Sequence, residues 1–354
     1  MTTSAEFPDT LGRLSMLARA ELFQGPTLLE PMPNLTKVCG GGQLYIKRDD
    51  CIPLAFGGNK VRQLEFYMGE AVAQKADTVL ITGAVQSNFV RLAAAGARKL
   101  GMDCHIQLEE RVAKSDPYYR QSGNVLLDRL LGATLHSYPD GEDEAGADRN
   151  LHAIAERLTA EGRRPFIIPL APGHKPYGAL GYVVAAHELL AQIAEQGLPV
   201  SEVVVASGSG NTHAGLLFGL RALGSPMTVT GVCVRRDAEQ QYPRIRDRCA
   251  EIADLLEIDN PVQDGDVIVS DTHLAPGYGK NGEASLDAIM LCAQSEALLL
   301  DPTYTAKAMA GFLDSARQSK SSDALVFMHT GGLPAIFAYQ NDLSDALDAR
   351  AGAS

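Results

Sequence analysis

Lys60 follows a tight turn that could make its amine reactive. The turn is Gly57-Gly58-Asn59, and because Asn59 is a good N-cap, Lys60 is predicted at the first position of a helix. A cation beside the positive end of a helix dipole is disfavoured, so we expect the pKa of Lys60 to be lowered. A lysine with a lowered pKa is a nucleophile that can form a Schiff base. An ordinary surface lysine after a turn is the other interpretation, and this loop alone leaves both open.

A second turn carries three polar residues in a row. Gln86, Ser87 and Asn88 come after the apolar run TVLIT and open an amphipathic stretch, where Ser87 can cap a helix. Their side chains would place donors and acceptors at a helix N-terminus, which suits a carboxylate or a phenolic oxygen. Plain capping needs only one such residue, so the row of three favours a site.

A third turn has the composition of a phosphate-binding loop. Residues 207–212 read SGSGNT and follow the apolar run EVVVA. Glycines, hydroxyls and N–H groups at a helix N-terminus form a cradle for phosphate. A dinucleotide fingerprint fails because His213 stands at its third glycine position, and the lysine of a Walker A motif is absent. A glycine turn needed only for close strand–helix packing is the alternative.

Later turns add aromatic and hydroxyl side chains. Tyr278 lies between two glycines, Tyr304 and Thr305 follow an Asp-Pro pair, and Thr330 precedes two glycines. Tyrosines on loops can stack on a ring or move protons, although single tyrosines usually serve packing. The histidines and the scattered cysteines lack ligand spacing, so we predict no metal site.

Short β-rich runs alternate with amphipathic stretches, which predicts an α/β protein with parallel sheets between helices. Several runs are apolar throughout, as expected of strands buried on both faces. The polar stretch 140–148, DGEDEAGAD, is predicted to be a solvated loop. Strands are predicted at 44–47, 78–82, 104–108, 166–169, 203–206, 229–234, 267–269 and 324–328. Helices are predicted at 60–74, 88–100, 118–131, 151–160, 179–195, 212–223, 242–256, 283–298 and 304–317.

The composition bounds the class of protein. The 354 residues carry a net charge of −12, and no basic block typical of a nucleic-acid binder is present. No apolar run is long enough to span a membrane, and the N-terminus lacks the pattern of a signal peptide. Six scattered cysteines fit a reducing compartment. We therefore expect a soluble cytoplasmic enzyme or binding protein.

Together, the reactive lysine, the Ser-Asn helix start and the phosphate cradle indicate pyridoxal phosphate. At these positions the chain resembles the fold-type II (tryptophan synthase β-like) enzymes. More narrowly, it resembles the family of D-cysteine desulfhydrase, L-cysteate sulfo-lyase and 1-aminocyclopropane-1-carboxylate deaminase. The matching stretches also include KRDD at 47–50, SGN at 122–124, GALGY at 178–182, THAGL at 212–216, GYG at 277–279, DPTY at 301–304 and HTGG at 329–332.

The resemblance implies an architecture of two open, twisted, mostly parallel sheets flanked by helices. Residues 57–169 would form a small domain inserted in a larger cofactor-binding domain, built from residues 1–56 and 170–354. The site would lie between the two domains. Relatives of this kind are typically homodimers that act on a small-molecule amino acid, with no nucleic-acid or membrane partner.

The resemblance also implies roles for individual residues. Lys60 would bind the cofactor and move the α-proton, and Ser87 with Gln86 would receive the substrate carboxylate. Thr305 would be the partner of the pyridine nitrogen. Tyr278 and Tyr304 would be active-site tyrosines. The remaining cofactor contacts would come from Asn88, on the phenolic oxygen, and from Gly208, Ser209, Gly210, Asn211 and Thr212, around the phosphate; Thr330 would contact substrate.

Two departures from the family pattern concern the substrate. Phe89 stands where the family commonly has histidine or glutamine, which argues for a less polar or bulkier β-substituent. The loop 171–176, APGHKP, replaces a loop of glycine, serine and asparagine. Its His174 and Lys175 would argue for an anionic substituent such as a sulfonate. These two arguments oppose each other, and changes in packing around the site are an alternative explanation of both departures.

We therefore predict a pyridoxal phosphate-dependent carbon–sulfur lyase of sulfur amino-acid metabolism. It would catalyse α,β-elimination on D-cysteine or L-cysteate, giving pyruvate, ammonia and sulfide or sulfite. A deaminase of the 1-aminocyclopropane-1-carboxylate type, or another deaminase or racemase, is the alternative; the deaminase has glutamate where Thr305 stands, which disfavours it. A more distant alternative is an NAD(P)-dependent dehydrogenase, in which Arg235 and Arg236 would bind a 2′-phosphate.

Overall fold

The apolar runs of the sequence form strands, and the strands belong to two separate sheets. The structure is a computed structural model that describes residues 7–170, 173–319 and 321–352. The described strands are β1 (Leu29–Pro31), β2 (Leu44–Lys47), β3 (Thr78–Ala84), β4 (Asp103–Glu109), β5 (Thr134–Tyr138), β6 (Pro165–Ile168), β7 (Val200–Ser207), β8 (Thr228–Cys233), β9 (Ile268–Ser270) and β10 (Ala324–Met328).

Helices connect most of these strands. The described α-helices are α1 (Pro33–Cys39), α2 (Lys60–Ala73), α3 (Asn88–Lys99), α4 (Pro117–Gln121), α5 (Gly123–Leu130), α6 (Glu144–Ala160), α7 (Tyr177–Gln196), α8 (Asn211–Ala222), α9 (Ala238–Leu256), α10 (Glu283–Glu296), α11 (Thr305–Gln318), α12 (Ala335–Ala338) and α13 (Gln340–Ala351). Short 3₁₀ helices span Asp9–Met16, Asp49–Cys51, Leu54–Phe56 and Asp264–Asp266. Among the described helices, none is long and apolar enough to cross a membrane.

The larger sheet has six strands in the order β1-β2-β10-β7-β8-β9, and the smaller has four in the order β5-β4-β3-β6. Every pairing is parallel except that of β1 with β2. The predicted α/β class with two mostly parallel sheets is therefore confirmed. The four-stranded sheet comes from residues 78–168, within the segment 57–169, while the exact domain boundaries stay a prediction.

Buried apolar side chains fix both sheets between their helices. All seven residues of β3 are buried, as are all five of β10, so neither strand shows a polar face. One core packs α7 and α8 against the larger sheet, and another packs α2 and α3 against the smaller one. Burial on both faces explains why these strands read as continuous apolar runs.

The structure corrects three local predictions. The predicted helix 118–131 is two helices, because Ser122 is extended and Gly123 has a positive φ of 58°. The stretch 140–148 is not a loop throughout, since Asp143 caps α6 by accepting the Gly146 N–H at 2.8 Å and Glu144 begins the helix. Strands β1 and β5 were not predicted, because β1 is three residues long and β5 is a partly exposed edge strand of mixed polarity.

Candidate active site

Lys60 lies at the start of α2, behind a turn that only glycine can make. Gly58 has a φ of 115°, and a Cβ there would lie 2.8 Å from the Thr330 carbonyl oxygen. Asn59 occupies the N-cap position as predicted, but its side chain makes no cap hydrogen bond. Its amide instead donates to Thr212 Oγ1 at 2.8 Å. The turn therefore connects Lys60 to the third loop.

The environment of Lys60 is poor in charge. Its Nζ lies 3.3 Å from Gln63 Oε1 and 5.0 Å from the centroid of the Phe89 ring. No described carboxylate pairs with it. Burial lowers the pKa of Lys60 to about 8, so the predicted direction is confirmed and desolvation is its cause in the structure. The lowered pKa increases the neutral fraction of the amine, and the neutral form is the one that acts as a nucleophile.

The second turn begins α3 as predicted, with Ser87 as its cap. Ser87 Oγ accepts the N–H groups of Phe89 and Val90 at 3.2 and 3.5 Å. Asn88 Oδ1 accepts from Asn124 Nδ2 at 3.0 Å and from Arg91 Nη1 at 3.5 Å. Because its oxygen is engaged by these two donors, the NH₂ of Asn88 is the end that can donate into the adjoining space.

Gln86 does not join that space. Its Nε2 donates to the carbonyls of Tyr119 and Ser122 at 2.6 and 3.0 Å, and its Oε1 accepts the Asn124 N–H at 2.9 Å. The side chain is buried and connects the second turn to the start of α5. All of these contacts are to the protein itself, and Gln86 lines neither of the chambers described below, so its predicted substrate role stays a prediction.

The third loop forms the expected cradle at the N-terminus of α8. Gly210 has a φ of 102°, and the first N–H groups of a helix lack intrahelical acceptors. Thr212 Oγ1 accepts from Asn59 Nδ2 and from Gln63 Nε2, both at 2.8 Å. With both lone pairs of the oxygen engaged, the hydroxyl hydrogen of Thr212 is available to an anion in the cradle.

Two tyrosine hydroxyls meet at the edge of this space. Tyr278 Oη and Tyr304 Oη are in direct hydrogen-bond contact. Burial raises the pKa of both phenols. The pair therefore stays protonated and can hold or pass a proton between the two oxygens.

Thr305 is engaged by the start of its own helix. Its hydroxyl donates to Asp301 Oδ1 at 2.8 Å and accepts the Asp301 N–H at 2.7 Å. The Asp301 carboxylate also accepts the N–H groups of Thr303, Tyr304 and Thr305. Thr305 is fully buried and does not line the chambers described next. Asp301 therefore orients this turn, although no role was predicted for it beyond its place in the family stretch DPTY at 301–304.

These elements enclose two adjoining chambers. The first chamber is lined by Lys60, Asn88, the cradle and Thr330, and the second is lined by Tyr278 and a group of arginines. Residues that line both are Lys60, Ser87, Phe89, Gly208, Ser209 and Tyr304. The structure therefore brings most of the predicted site residues together around Lys60.

His174 and Lys175 lie elsewhere. They line a separate small cleft with Asn211, and that cleft shares Ser209 with the two chambers. His174 Nε2 lies 3.5 Å from Asp148 Oδ2. Residues 171 and 172 of the same loop lie outside the described residues. The two cations proposed to contact an anionic substituent are thus not brought to Ser87 and Phe89.

Four arginines that the site predictions did not include line the second chamber. They are Arg111, Arg235, Arg236 and Arg244, and Glu144 lies among them. The pair 235–236 was visible in the sequence but was considered only for a dinucleotide. Among the described residues, no group of three or more His, Cys, Asp or Glu side chains could hold a metal.

Comparisons with known proteins agree on one family. The family model described as "Pyridoxal-phosphate dependent enzyme" matches residues 20–331. A D-cysteine desulfhydrase of Salmonella choleraesuis (strain SC-B67) is 42% identical over 331 residues, which cover 93% of this chain and 98% of that protein. A D-cysteine desulfhydrase of Klebsiella pneumoniae subsp. pneumoniae is 41% identical over 336 residues, with coverage of 94% and 100%.

Solved structures similar to this chain share its fold over nearly its whole length. A protein described as an ACC deaminase homologue superposes with a TM-score of 0.85 at 35% identity, covering 96% of this chain and 99% of its own. An O-ureido-L-serine synthase superposes with a TM-score of 0.63 at 16% identity, with coverage of 95% and 96%, which shows the fold alone.

Proposed function

The chain belongs to the family of pyridoxal-phosphate dependent enzymes, and we propose that it catalyses α,β-elimination on D-cysteine, giving pyruvate, ammonia and sulfide. The observation that carries this proposal is Lys60, with a pKa of about 8, between a phosphate cradle and the Ser87 helix start. The desulfhydrase relatives, similar over nearly their whole length, support D-cysteine as substrate.

The first chamber fits the cofactor. The N-terminus of α8 and the hydroxyl hydrogen of Thr212 would hold the phosphate, and the Asn88 NH₂ would donate to the phenolic oxygen. The amine of Lys60 would react with the aldehyde. When bound, the cofactor ring withdraws electrons from the α-carbon of an amino acid. The hydroxyl of Thr305 donates to Asp301 and does not line this chamber, so the contact with the pyridine nitrogen proposed for it would require the hydroxyl to turn away from Asp301.

The chain's own groups supply the remaining steps. The N-terminus of α3, with Ser87, would bind the substrate carboxylate through N–H groups and the favourable end of the helix dipole. Lys60 would remove the α-proton, because its lowered pKa leaves the amine able to accept one. The hydroxyl pair Tyr278–Tyr304 would hold a proton for the departing sulfur.

A deaminase acting on 1-aminocyclopropane-1-carboxylate is the second candidate, favoured by the 35% identical solved structure. Thr305 argues against it, because a hydroxyl cannot hold a pyridinium proton as a carboxylate does. The dehydrogenase alternative is wrong, since the family requires pyridoxal phosphate and both Arg235 and Arg236 contact Glu144. Release of 2-oxobutyrate from the cyclopropane would favour the deaminase.

The test is release of 2-oxo acid from D-cysteine by the loaded enzyme, with L-cysteine and the cyclopropane amino acid alongside. We expect pyruvate and sulfide from D-cysteine. Lys60→Ala should abolish both this release and the visible band of the bound cofactor. Lys37→Ala, at an exposed position on α1, is the matched control and should retain both. Turnover by Lys60→Ala would contradict the assignment.

We also propose that the protein works as a homodimer in the cytoplasm. All six cysteines are free thiols, as fits a reducing compartment. Light scattering coupled to size-exclusion chromatography tests the dimer, and a mass of one chain would refute it.

A further inference from the structure

Arg91 is a buried cation that the steps above do not use. It lies in α3, one turn after Asn88, and its side chain is fully buried. The carboxylate whose charge acts on it is that of Asp128, but neither oxygen of Asp128 has a hydrogen-bond partner among the described residues. Because an isolated buried charge is costly, the contacts that hold the guanidinium group must come from elsewhere.

The guanidinium group donates to oxygen atoms from three segments of the chain. Arg91 Nη2 donates to the Gly57 carbonyl at 2.9 Å, in the turn that precedes Lys60. Arg91 Nη1 donates to Asn124 Oδ1 at 3.1 Å and to Asn88 Oδ1 at 3.5 Å. One side chain therefore joins the Lys60 turn to the starts of α3 and α5.

These contacts set the direction of two side-chain amides. An arginine can only donate hydrogen bonds, so Asn124 must turn its oxygen toward Arg91. Asn124 Nδ2 is then free to donate to Asn88 Oδ1 and to the Gln86 carbonyl, both at 3.0 Å. Asn88 accepts at its oxygen from both neighbours, which leaves its NH₂ as the end that can donate into the first chamber.

Charge adds to this orientation. Burial raises the pKa of Asp128 to about 8 and lowers that of Arg91 to about 10. Near neutral pH the guanidinium group therefore keeps its charge, while most of the Asp128 carboxyl is protonated and does not balance it. Hydrogen bonds from a charged donor are roughly twice as strong as neutral ones, and each bond in a chain polarises the next. The cation therefore makes the NH₂ of Asn88 a stronger donor.

We propose that Arg91 is a positioning residue for the cofactor. Through Asn124 and Asn88 it directs a strengthened N–H donor at the phenolic oxygen of pyridoxal phosphate, and its bond to the Gly57 carbonyl anchors the guanidinium group. Arg91 lines neither chamber, so its effect passes through Asn88. This inference deepens the proposed function and rests on the placement of the cofactor given there.

The experiment is a titration of the apoprotein with pyridoxal phosphate, followed by the visible cofactor band, with a melting curve for each variant. Arg91→Gln removes the charge and lets the side chain accept as well as donate. We expect it to raise the dissociation constant of the cofactor about tenfold and to shift the maximum of the band. Arg91→Lys keeps a charged side chain that only donates, and it should recover most of both effects.

A double-variant comparison separates positioning from a role in folding. Asn88→Ala removes the group through which Arg91 acts. In that background, Arg91→Gln should change the dissociation constant by less than about twofold and should leave the band where it is. Leu92→Ala, at the next position of α3 and equally buried, is the control: it should lower the melting temperature but leave cofactor affinity and the band unchanged.

The outcomes are separable. If Arg91→Gln weakens binding by the same factor with and without Asn88, or if Leu92→Ala weakens it equally, Arg91 serves only the fold and the inference is overturned. If Arg91→Gln does not fold, Asn124→Ala interrupts the same chain of amides, and an unshifted band in that variant would overturn the inference. Unchanged cofactor binding in Asn88→Ala would overturn the proposed cofactor placement as well, whereas weakened binding there with no effect at Arg91 would overturn this inference alone.

Discussion

Removal of the Thr212 hydroxyl tests the phosphate cradle. In Thr212→Val the side chain keeps its shape but loses the oxygen that accepts from Asn59 Nδ2 and Gln63 Nε2, both at 2.8 Å. A hydrogen bond to a charged group contributes about 1.5–3 kcal/mol, so we expect the dissociation constant of the cofactor to rise about 10- to 150-fold. The two amide donors also lose their acceptor, at about 1–3 kcal/mol for each one that water cannot reach.

The assay is a titration of the apoprotein with pyridoxal phosphate, followed by absorbance, together with urea unfolding of the same samples. Thr212→Ser is the matched control, because it keeps the hydroxyl, and it should bind the cofactor within about threefold of the parent protein. If folded Thr212→Val binds the cofactor as tightly as the parent, the hydroxyl does not serve the phosphate. Weaker binding in Thr212→Ser but not in Thr212→Val would implicate the methyl group instead, and would refute the reasoning.

Two further predictions concern charge. Arg62→Met should lower the free energy of unfolding by about 3–5 kcal/mol in urea denaturation, because Asp49 and Glu188 would both lose the guanidinium that pairs with them. Arg246→Met, at an exposed position, is the control and should change the free energy of unfolding by less than about 0.5 kcal/mol. Equal effects of the two substitutions would contradict the argument from burial. The rate at which the apoprotein reacts with pyridoxal phosphate should rise about tenfold per pH unit below pH 8 and level off above it, because deprotonation of Lys60 produces the reactive neutral amine. A rate that is constant from pH 6 to pH 8 would show that Lys60 does not govern the reaction.

The fold was predictable where strands are buried on both faces and are therefore apolar throughout. Strands β3, β7 and β10 lie in sheet interiors and are largely apolar, so their composition alone identifies them. Strand β5, TLHSY, forms an edge and takes mixed residues, which no periodicity distinguishes from a turn. The beginning of α6 was missed for a related reason, because an acidic first turn resembles a solvated loop until the packing partners of Glu144 are known.

The site was predictable where the residues of one part of it are neighbours in the sequence. The Gly-Gly-Asn-Lys turn is one such run and the start of α3 is another, and the structure places both beside the first chamber. The same reasoning failed to predict the contacts of Gln86 and His174: Gln86 donates to the Tyr119 carbonyl, and the His174 ring lies beside Asp148. A short motif specifies which residues are near a site, but the direction of each side chain depends on neighbours from distant segments.

The arginines of the second chamber are site residues that the sequence did not identify. In the sequence, Phe89 argued for an apolar substituent, and the only cations set against it were His174 and Lys175. In the structure Phe89 lines both chambers, with the Lys60 ammonium 5.0 Å from its ring centroid, so its ring packs against the reactive lysine as well. Among the arginines that line the second chamber, Arg111 lies more than 100 residues before Arg235, Arg236 and Arg244, so only the folded chain brings the four together. Phe89 beside Lys60 and arginines beyond it are therefore compatible within one site.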